Sequence, residues 1–168
     1  MIIREATENE LPVIKEHRVT AYEEYAKLLP ESHWLALKSA ITADIDTLSG
    51  AELLIAEEGG RILGSVALFP AKTDAYQGYV KAQDYPEIRM LAIMPDARKR
   101  GVGSALIKDC IARSRGRNAK YIGLHTGEFM TGAMRLYEKI GFHRVCELDF
   151  VPAHDGIVVK AYRYQIQE

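Results

Sequence analysis

The sequence predicts a mixed α/β fold, with a central, mostly antiparallel sheet of about seven strands flanked by about four to five helices. Three observations carry that prediction. Short runs rich in Ile, Leu and Val are separated by segments of helical period. Two pairs of runs are joined by short turns containing glycine. The stretch from Glu87 to Ile140 reads strand, helix, strand, helix. The 168 residues fit a single domain spanning 1–168, and a chain of that size buries roughly 70% of its unfolded surface on folding. With 48% hydrophobic and 27% charged residues and no biased tract, the composition is that of an ordinary globular chain.

Ile2-Ile3-Arg4 opens as a strand, and Thr7-Glu8-Asn9-Glu10 resembles a capping box. Pro12 bears on which residue caps the helix. With Asn9 as the cap, proline falls at the third helical position, where its missing N–H costs no intrahelical bond, so Asn9 is the expected cap. Helical patterns then run to about Leu28 and from about Ser32 to Leu48, divided by Leu29-Pro30-Glu31. Leu53–Glu57 and Ile62–Phe69 flank Glu58-Gly59-Gly60-Arg61, a hairpin signal that makes these strands antiparallel. Pro70 to Pro86 is long for a connection in a compact domain and carries Tyr76, Tyr79 and Tyr85, which marks it as a substrate loop. Glu87–Met94 is a strand, Gly103–Arg115 an amphipathic helix, Tyr121–His125 a strand and Met130–Ile140 a helix. Two last strands, Arg144–Phe150 and Ile157–Ile166, enclose a turn at Pro152–Gly156.

The start Met1-Ile2-Ile3-Arg4-Glu5 lacks a signal-peptide core, and no run nears the ~18 apolar residues of a membrane span, so a cytoplasmic protein without membrane partners is expected. A formal net charge of −1 gives no global field for a polyanion. Arg113, Arg115, Arg117 and Lys120 lie at the C-terminal end of a helix and read as a dipole-compensating cluster, not a nucleic-acid surface. Cys110 and Cys146 show no metal spacing and are expected to be buried, reduced thiols; no metal site is expected.

The turn Arg98-Lys99-Arg100-Gly101-Val102-Gly103 carries the chemistry. A glycine turn entering a helix leaves N–H groups unpaired at the positive end of the helix dipole, which makes an anion site. A P-loop would need Gly-x-x-x-x-Gly-Lys followed by Ser or Thr, which is absent. A dinucleotide fingerprint would need a third glycine at Leu106 and an acid some 20 residues on, where Tyr121–His125 supplies none. A diphosphate such as that of CoA remains, with Arg98, Lys99 and Arg100 adding charge at its rim.

Glu87-Ile88-Arg89-Met90-Leu91-Ala92-Ile93-Met94-Pro95, followed by Arg98-x-x-Gly101-x-Gly103, resembles the acetyl-CoA signature of the GNAT N-acetyltransferases. A second block, Ala133-Met134-Arg135-Leu136-Tyr137-Glu138-Lys139-Ile140-Gly141-Phe142, stands at the spacing that family shows. The resemblance is strongest over residues 87–143. It implies acetyl-CoA or CoA as cosubstrate, a strand bulge presenting the backbone of Leu91, Ala92 and Ile93 to the pantetheine arm, and a pyrophosphate surrounded by Arg98, Lys99, Arg100, Gly101, Val102, Gly103 and Ser104. The asparagine that the family often carries seven residues before the helix tyrosine is Met130 here. A homodimer is a family-level expectation.

The implied reaction moves an acetyl group to a primary amine of a small molecule or peptide acceptor by direct attack. The different class that shares these motifs is a catalytically idle acyl-CoA-binding module. Tyr137 is the expected general acid; since it also falls at i+7 from Met130, with Ala133 and Met134 between, packing is its competing explanation. For the base there are two alternatives. Glu87, eleven residues before Arg98, matches the catalytic glutamate of histone-acetyltransferase-like members, and His125 stands where amino-terminal acetyltransferases carry a glutamate. Tyr22, Tyr25, His33 and Trp34 lie where the family builds its acceptor pocket.

Overall fold

The computed structural model describes residues 1–44 and 50–167. Seven strands form one sheet: β1 (Ile2–Glu5), β2 (Glu52–Glu58), β3 (Arg61–Phe69), β4 (Glu87–Ile93), β5 (Tyr121–Gly127), β6 (His143–Arg144) and β7 (Val159–Gln165), in the order β1-β2-β3-β4-β5-β7-β6. Among the described residues, only β4 and β5 pair in parallel. Among the described residues, four α-helices flank the sheet: α1 (Leu11–Tyr22), α2 (Glu31–Thr42), α3 (Val102–Gly116) and α4 (Thr131–Ile140). The mixed, mostly antiparallel fold read from the sequence is therefore the fold observed.

Strand β3 shows why the molecule has two apolar layers. Its side chains alternate, Val66 and Leu68 into a cluster with Leu106, Ile107 and Cys110 of α3, and Ala67 and Phe69 into one with Ala21 and Tyr22 of α1 and Ile41 of α2. Both faces are covered, so the strand is apolar almost throughout. The fully buried Arg18 of α1 donates to the Ile41 carbonyl at 3.1 Å and ties α1 to α2. At the opposite layer, Arg113 pairs with Asp109, Glu5 and Glu52, and Arg117 also pairs with Glu52. These bases fasten α3 to the β1–β2 edge.

Several boundaries differ from expectation. Thr7, not Asn9, begins the first helical segment: Glu8–Glu10 form a 3₁₀ turn, and the Glu10 carboxylate accepts from the Thr7 N–H at 2.8 Å. The α-helix starts only at Leu11, so Pro12 occupies its second residue and forfeits no bond. The expected continuation to Leu28 is a tighter 3₁₀ segment, Glu23–Leu28. α2 ends at Thr42, where Ala43 turns extended; the expected end at Leu48 lies outside the described residues. The expected strand Arg144–Phe150 is broken after two residues by a 3₁₀ turn, Cys146–Leu148, and rejoins the sheet only through a bridge from Phe150 to Val159. That turn lifts Cys146 to the surface, so only Cys110 is a buried thiol; both are free. No described helix is long and apolar enough to cross a membrane.

Candidate active site

The site is built where β4 parts from β5. These strands pair only at Glu87 with Gly123 and Ile88 with Leu124, and beyond that point they separate. On its other edge β4 carries a bulge. Ala67 faces Arg89 and Ser65 faces Ala92, so Val66 of β3 stands against both Met90 and Leu91. Met90 takes a left-handed φ of 56°, a strained value for a residue with a side chain. The Tyr22 hydroxyl, reaching from the end of α1, donates to the Leu91 carbonyl at 3.0 Å and holds the bulge. Burial pushes the Tyr22 pKa up to about 12, which keeps that donor proton in place.

The glycine turn faces the same opening. Lys99 and Gly101 adopt φ of 60° and 80°, and α3 begins at Val102. The first N–H to bond back is that of Ala105, to the Gly101 carbonyl at 3.0 Å, so those of Val102, Gly103 and Ser104 have no backbone partner among the described residues. The three bases do not act alike. Arg98 donates to the Ala21 carbonyl at 2.9 Å and pairs with Glu24, fastening the turn to α1 and its extension. Arg100 points away to Glu58 at the β2–β3 hairpin. A cleft of about 460 Å³ runs between the turn, the bulge and α4. Nine of the ten residues expected to hold the cofactor line it; Arg100 does not.

A second cavity, about 250 Å³, lies on the far side of a wall that both spaces share, made of Tyr22, Leu91, Met130 and Tyr137. Its other walls mix aliphatic residues of α2 and β4 with four rings, those of Tyr76 and Tyr79 from the 70–86 loop, Phe129 before α4, and Phe150. Three segments are clasped around it. His33 Nδ1 of α2 meets the Asp155 carboxylate at 2.6 Å, the Tyr79 hydroxyl donates to the Pro152 carbonyl at 2.9 Å, and the Tyr79 and Phe150 rings stack at 5.1 Å. Of the aromatics singled out in the sequence, Tyr22, His33, Tyr76 and Tyr79 line this cavity. Tyr25 lines the larger cleft, whereas Trp34 packs into the layer under α1 and α2, and Tyr85 lies over Gly123. Arg89, Phe129 and Phe150 belong to the cavity although no pattern in the sequence marks them.

Tyr137 stands in the shared wall, 6% exposed, and its hydroxyl has no hydrogen-bond partner among the described residues. Burial first, then the nearby Tyr22 and Tyr25, raise its pKa, so it remains protonated across the neutral range. Its ring also packs against Phe142 and Tyr162, and thus it serves the core as well as the wall. Glu87 and His125, the two alternatives for a base, form one cluster: His125 Nδ1 lies 3.6 Å from Glu87 Oε2. The other ring nitrogen, Nε2, sits 2.9 Å from the Leu148 carbonyl, which only accepts, so Nε2 carries hydrogen. Neither Nδ1 of His125 nor Oε2 of Glu87 has a hydrogen-bond partner among the described residues. The Tyr76 hydroxyl accepts the His125 backbone N–H at 3.1 Å, and its own pKa is raised well above 10 by burial and then by the Glu87 charge. The His125 ring borders the smaller cavity, and Glu87 lies behind it. Glu87 is four residues before Leu91, at most about 13 Å along the strand and less across the bulge at Met90.

A family model described as "Acetyltransferase (GNAT) family" matches residues 12–142. Among curated proteins, the chain is 34% identical over 96 residues to a mycothiol acetyltransferase of Cellulomonas flavigena, covering 56% of this chain and 27% of that protein. It is 30% identical over 98 residues to N-acetyltransferase 8 of Rattus norvegicus, covering 58% of this chain and 42% of that one. The chain thus spans less than half the length of either relative. Among solved structures, an acetyltransferase of the GNAT family from Staphylococcus aureus superposes with a TM-score of 0.71 at 15% identity over 99% of both chains. The yncA protein of Salmonella typhimurium, solved with acetyl-CoA, gives 0.65 at 19% identity over 100% of this chain and 95% of its own. At these identities the likeness shows a shared fold.

Proposed function

This chain belongs to the GNAT acetyltransferase family, and from that premise we propose that it transfers an acetyl group from acetyl-CoA to the primary amine of a small acceptor by direct attack in a ternary complex. The observation that carries this reading is that the larger cleft and the smaller cavity share one wall, at Leu91 and Tyr137. A donor filling one and an acceptor filling the other would meet there.

The larger cleft fits such a donor. The unpaired N–H groups of Val102, Gly103 and Ser104 at the start of α3 suit a diphosphate, with Lys99 at its rim. Gly101 permits the φ of 80° that turns them inward. The bulged backbone of Leu91, Ala92 and Ile93 offers polar groups to the pantetheine amides. Met130, in place of the family's asparagine, supplies an apolar contact only. Arg98 serves by anchoring the turn, and Arg100 by pairing with Glu58.

Bound acetyl-CoA supplies an activated carbonyl and a sulfur leaving group. A backbone N–H of Leu91 or Ala92 stabilises the negative charge that develops on the carbonyl oxygen. An alkyl amine is only about one part in a few thousand neutral at pH 7, so its proton must leave. The Glu87–His125 pair receives it through water, and Tyr137 donates its proton to the sulfur as CoA departs. Holding both substrates against one wall contributes much of the rate. The enclosure of Glu87 and His125 is the observation that favours the alternative, an idle acyl-CoA-binding module.

Thiol release from acetyl-CoA across a panel of amines, with CoA affinity measured alongside, separates the two. Replacing Tyr137 by Phe is expected to lower kcat by about tenfold to a hundredfold while CoA affinity and melting temperature hold. Unchanged turnover would remove Tyr137 from the mechanism, and CoA binding without thiol release on any amine would favour the idle module.

A further inference from the structure

Arg89 is a charge that the acetyl-transfer reading leaves unused. It lies on β4 between Glu87 and the bulge and is one of the residues that line the smaller cavity. One guanidinium nitrogen donates to the Ala75 carbonyl, and the group lies over the Tyr76 ring at 5.1 Å and the Phe69 ring at 5.9 Å. These contacts fix its position without neutralising it. No carboxylate lies within ion-pair distance of it among the described residues, in contrast to Arg4, Arg61, Arg98, Arg100, Arg113, Arg117 and Arg144, each of which has an acidic partner. The cavity it borders contains no Asp or Glu among its described lining residues. A guanidinium has five N–H donors in a planar fork suited to a carboxylate, and the protein takes one nitrogen here.

The volume adds a constraint. At about 250 Å³ the cavity falls below the roughly 300–1,000 Å³ of sites that enclose drug-sized ligands. The occupant is small, and the rings of Tyr79, Phe129 and Phe150 favour an apolar body. A polyamine would bring further positive charge to a cavity with an unpaired guanidinium and no carboxylate.

We propose that the acceptor is a small amine with an apolar body and a carboxylate, the pattern of an apolar α-amino acid, and that Arg89 binds the carboxylate and so sets specificity. The proposal rests on the acetyl-transfer reading for the role of the amine. It rests on the cavity alone for the carboxylate.

Two measurements test it. The first compares kcat/KM for thiol release with L-phenylalanine and L-methionine against their primary amides, with spermidine as the cationic control. The acids are expected to exceed the amides by about tenfold or more, with spermidine the poorest, and Arg89→Met to bring the ratio close to one while CoA affinity holds. Equal use of acid and amide by the unaltered protein, or equal loss of both in Arg89→Met, would overturn the proposal. The second compares binding of 3-phenylpropanoate and 3-phenylpropanamide to the CoA-loaded protein by calorimetry, since neither has an amine to react. Tighter binding of the acid, lost in Arg89→Met, supports the carboxylate site even where no amine releases thiol, an outcome that would sink acetyl transfer alone. Equal binding, or no binding of either, overturns the site.

Discussion

At the scale of single residues, chemistry here is decided by what surrounds a group. Tyr137 and Tyr22 are both buried phenols near Leu91, yet Tyr22 spends its proton on the Leu91 carbonyl, and Tyr137 keeps an unpaired hydroxyl at the wall. The motif in the sequence pointed to Tyr137, whereas the function of Tyr22 depends on a bond spanning 69 residues, which no local pattern encodes. Glu87 and His125 were legible as candidates, but their pairing was not, because it requires knowing that β4 and β5 are parallel neighbours there. The cysteines make the same point with a direct test. Burial pushes the Cys110 thiol up to about 12, whereas Cys146 is exposed on its 3₁₀ turn. At pH 8 the thiolate fraction of Cys110 is on the order of one part in ten thousand. Titration with a disulfide reagent is expected to modify one thiol in the native protein, absent from Cys146→Ser, and the second only on denaturation. Prompt modification of both would contradict this account of the core.

At the scale of elements, the site depends on irregularities. The bulge at Met90 and Leu91, the left-handed turn at Lys99 and Gly101, and the parting of β4 from β5 each leave backbone groups without a ladder partner at the larger cleft. Gly101 announced its turn in the sequence because glycine alone adopts that conformation without strain. The left-handed Met90 did not announce itself, since its conformation is imposed by the strands and by Tyr22. The clasp over the smaller cavity joins elements remote in the chain, His33 of α2 and Asp155 after β6, and was equally unreadable. It makes a prediction about pH. The Asp155 carboxyl is held below its ordinary value, first by the Ile157 N–H at 3.0 Å and then by His33. A depressed folded pKa means the stabilisation is fully present above the ordinary carboxylate value of about 3.9 and is lost as pH falls through the lowered one. The melting temperature of Asp155→Asn is therefore expected to fall below that of the unaltered protein at neutral pH, with the gap closing as pH drops below about 4. A gap independent of pH would show that the clasp owes nothing to charge.

At the scale of the whole molecule, the sheet order and its two apolar layers were largely legible. Strand and helix periods repeat along the chain, and the Gly59-Gly60 hairpin fixes one antiparallel pairing. The order β5-β7-β6 was less so, because the last strand must pass between two earlier ones and β6 shrinks to two residues. The proposed donor side of the site follows mainly from a continuous stretch, 91–104, and reads from sequence. The proposed acceptor side gathers α2, the 70–86 loop, β4 and the 150–159 segment, so its residues are scattered and their pattern appears only once folded. The account stands on the contiguity of those two spaces across Leu91 and Tyr137. Its most direct test is the initial rate of thiol release with acetyl-CoA and an accepted amine varied against each other. A common wall predicts a sequential pattern of intersecting reciprocal plots, with both substrates bound before CoA leaves. Parallel plots, the mark of an acetylated enzyme that releases CoA before the amine binds, would contradict it.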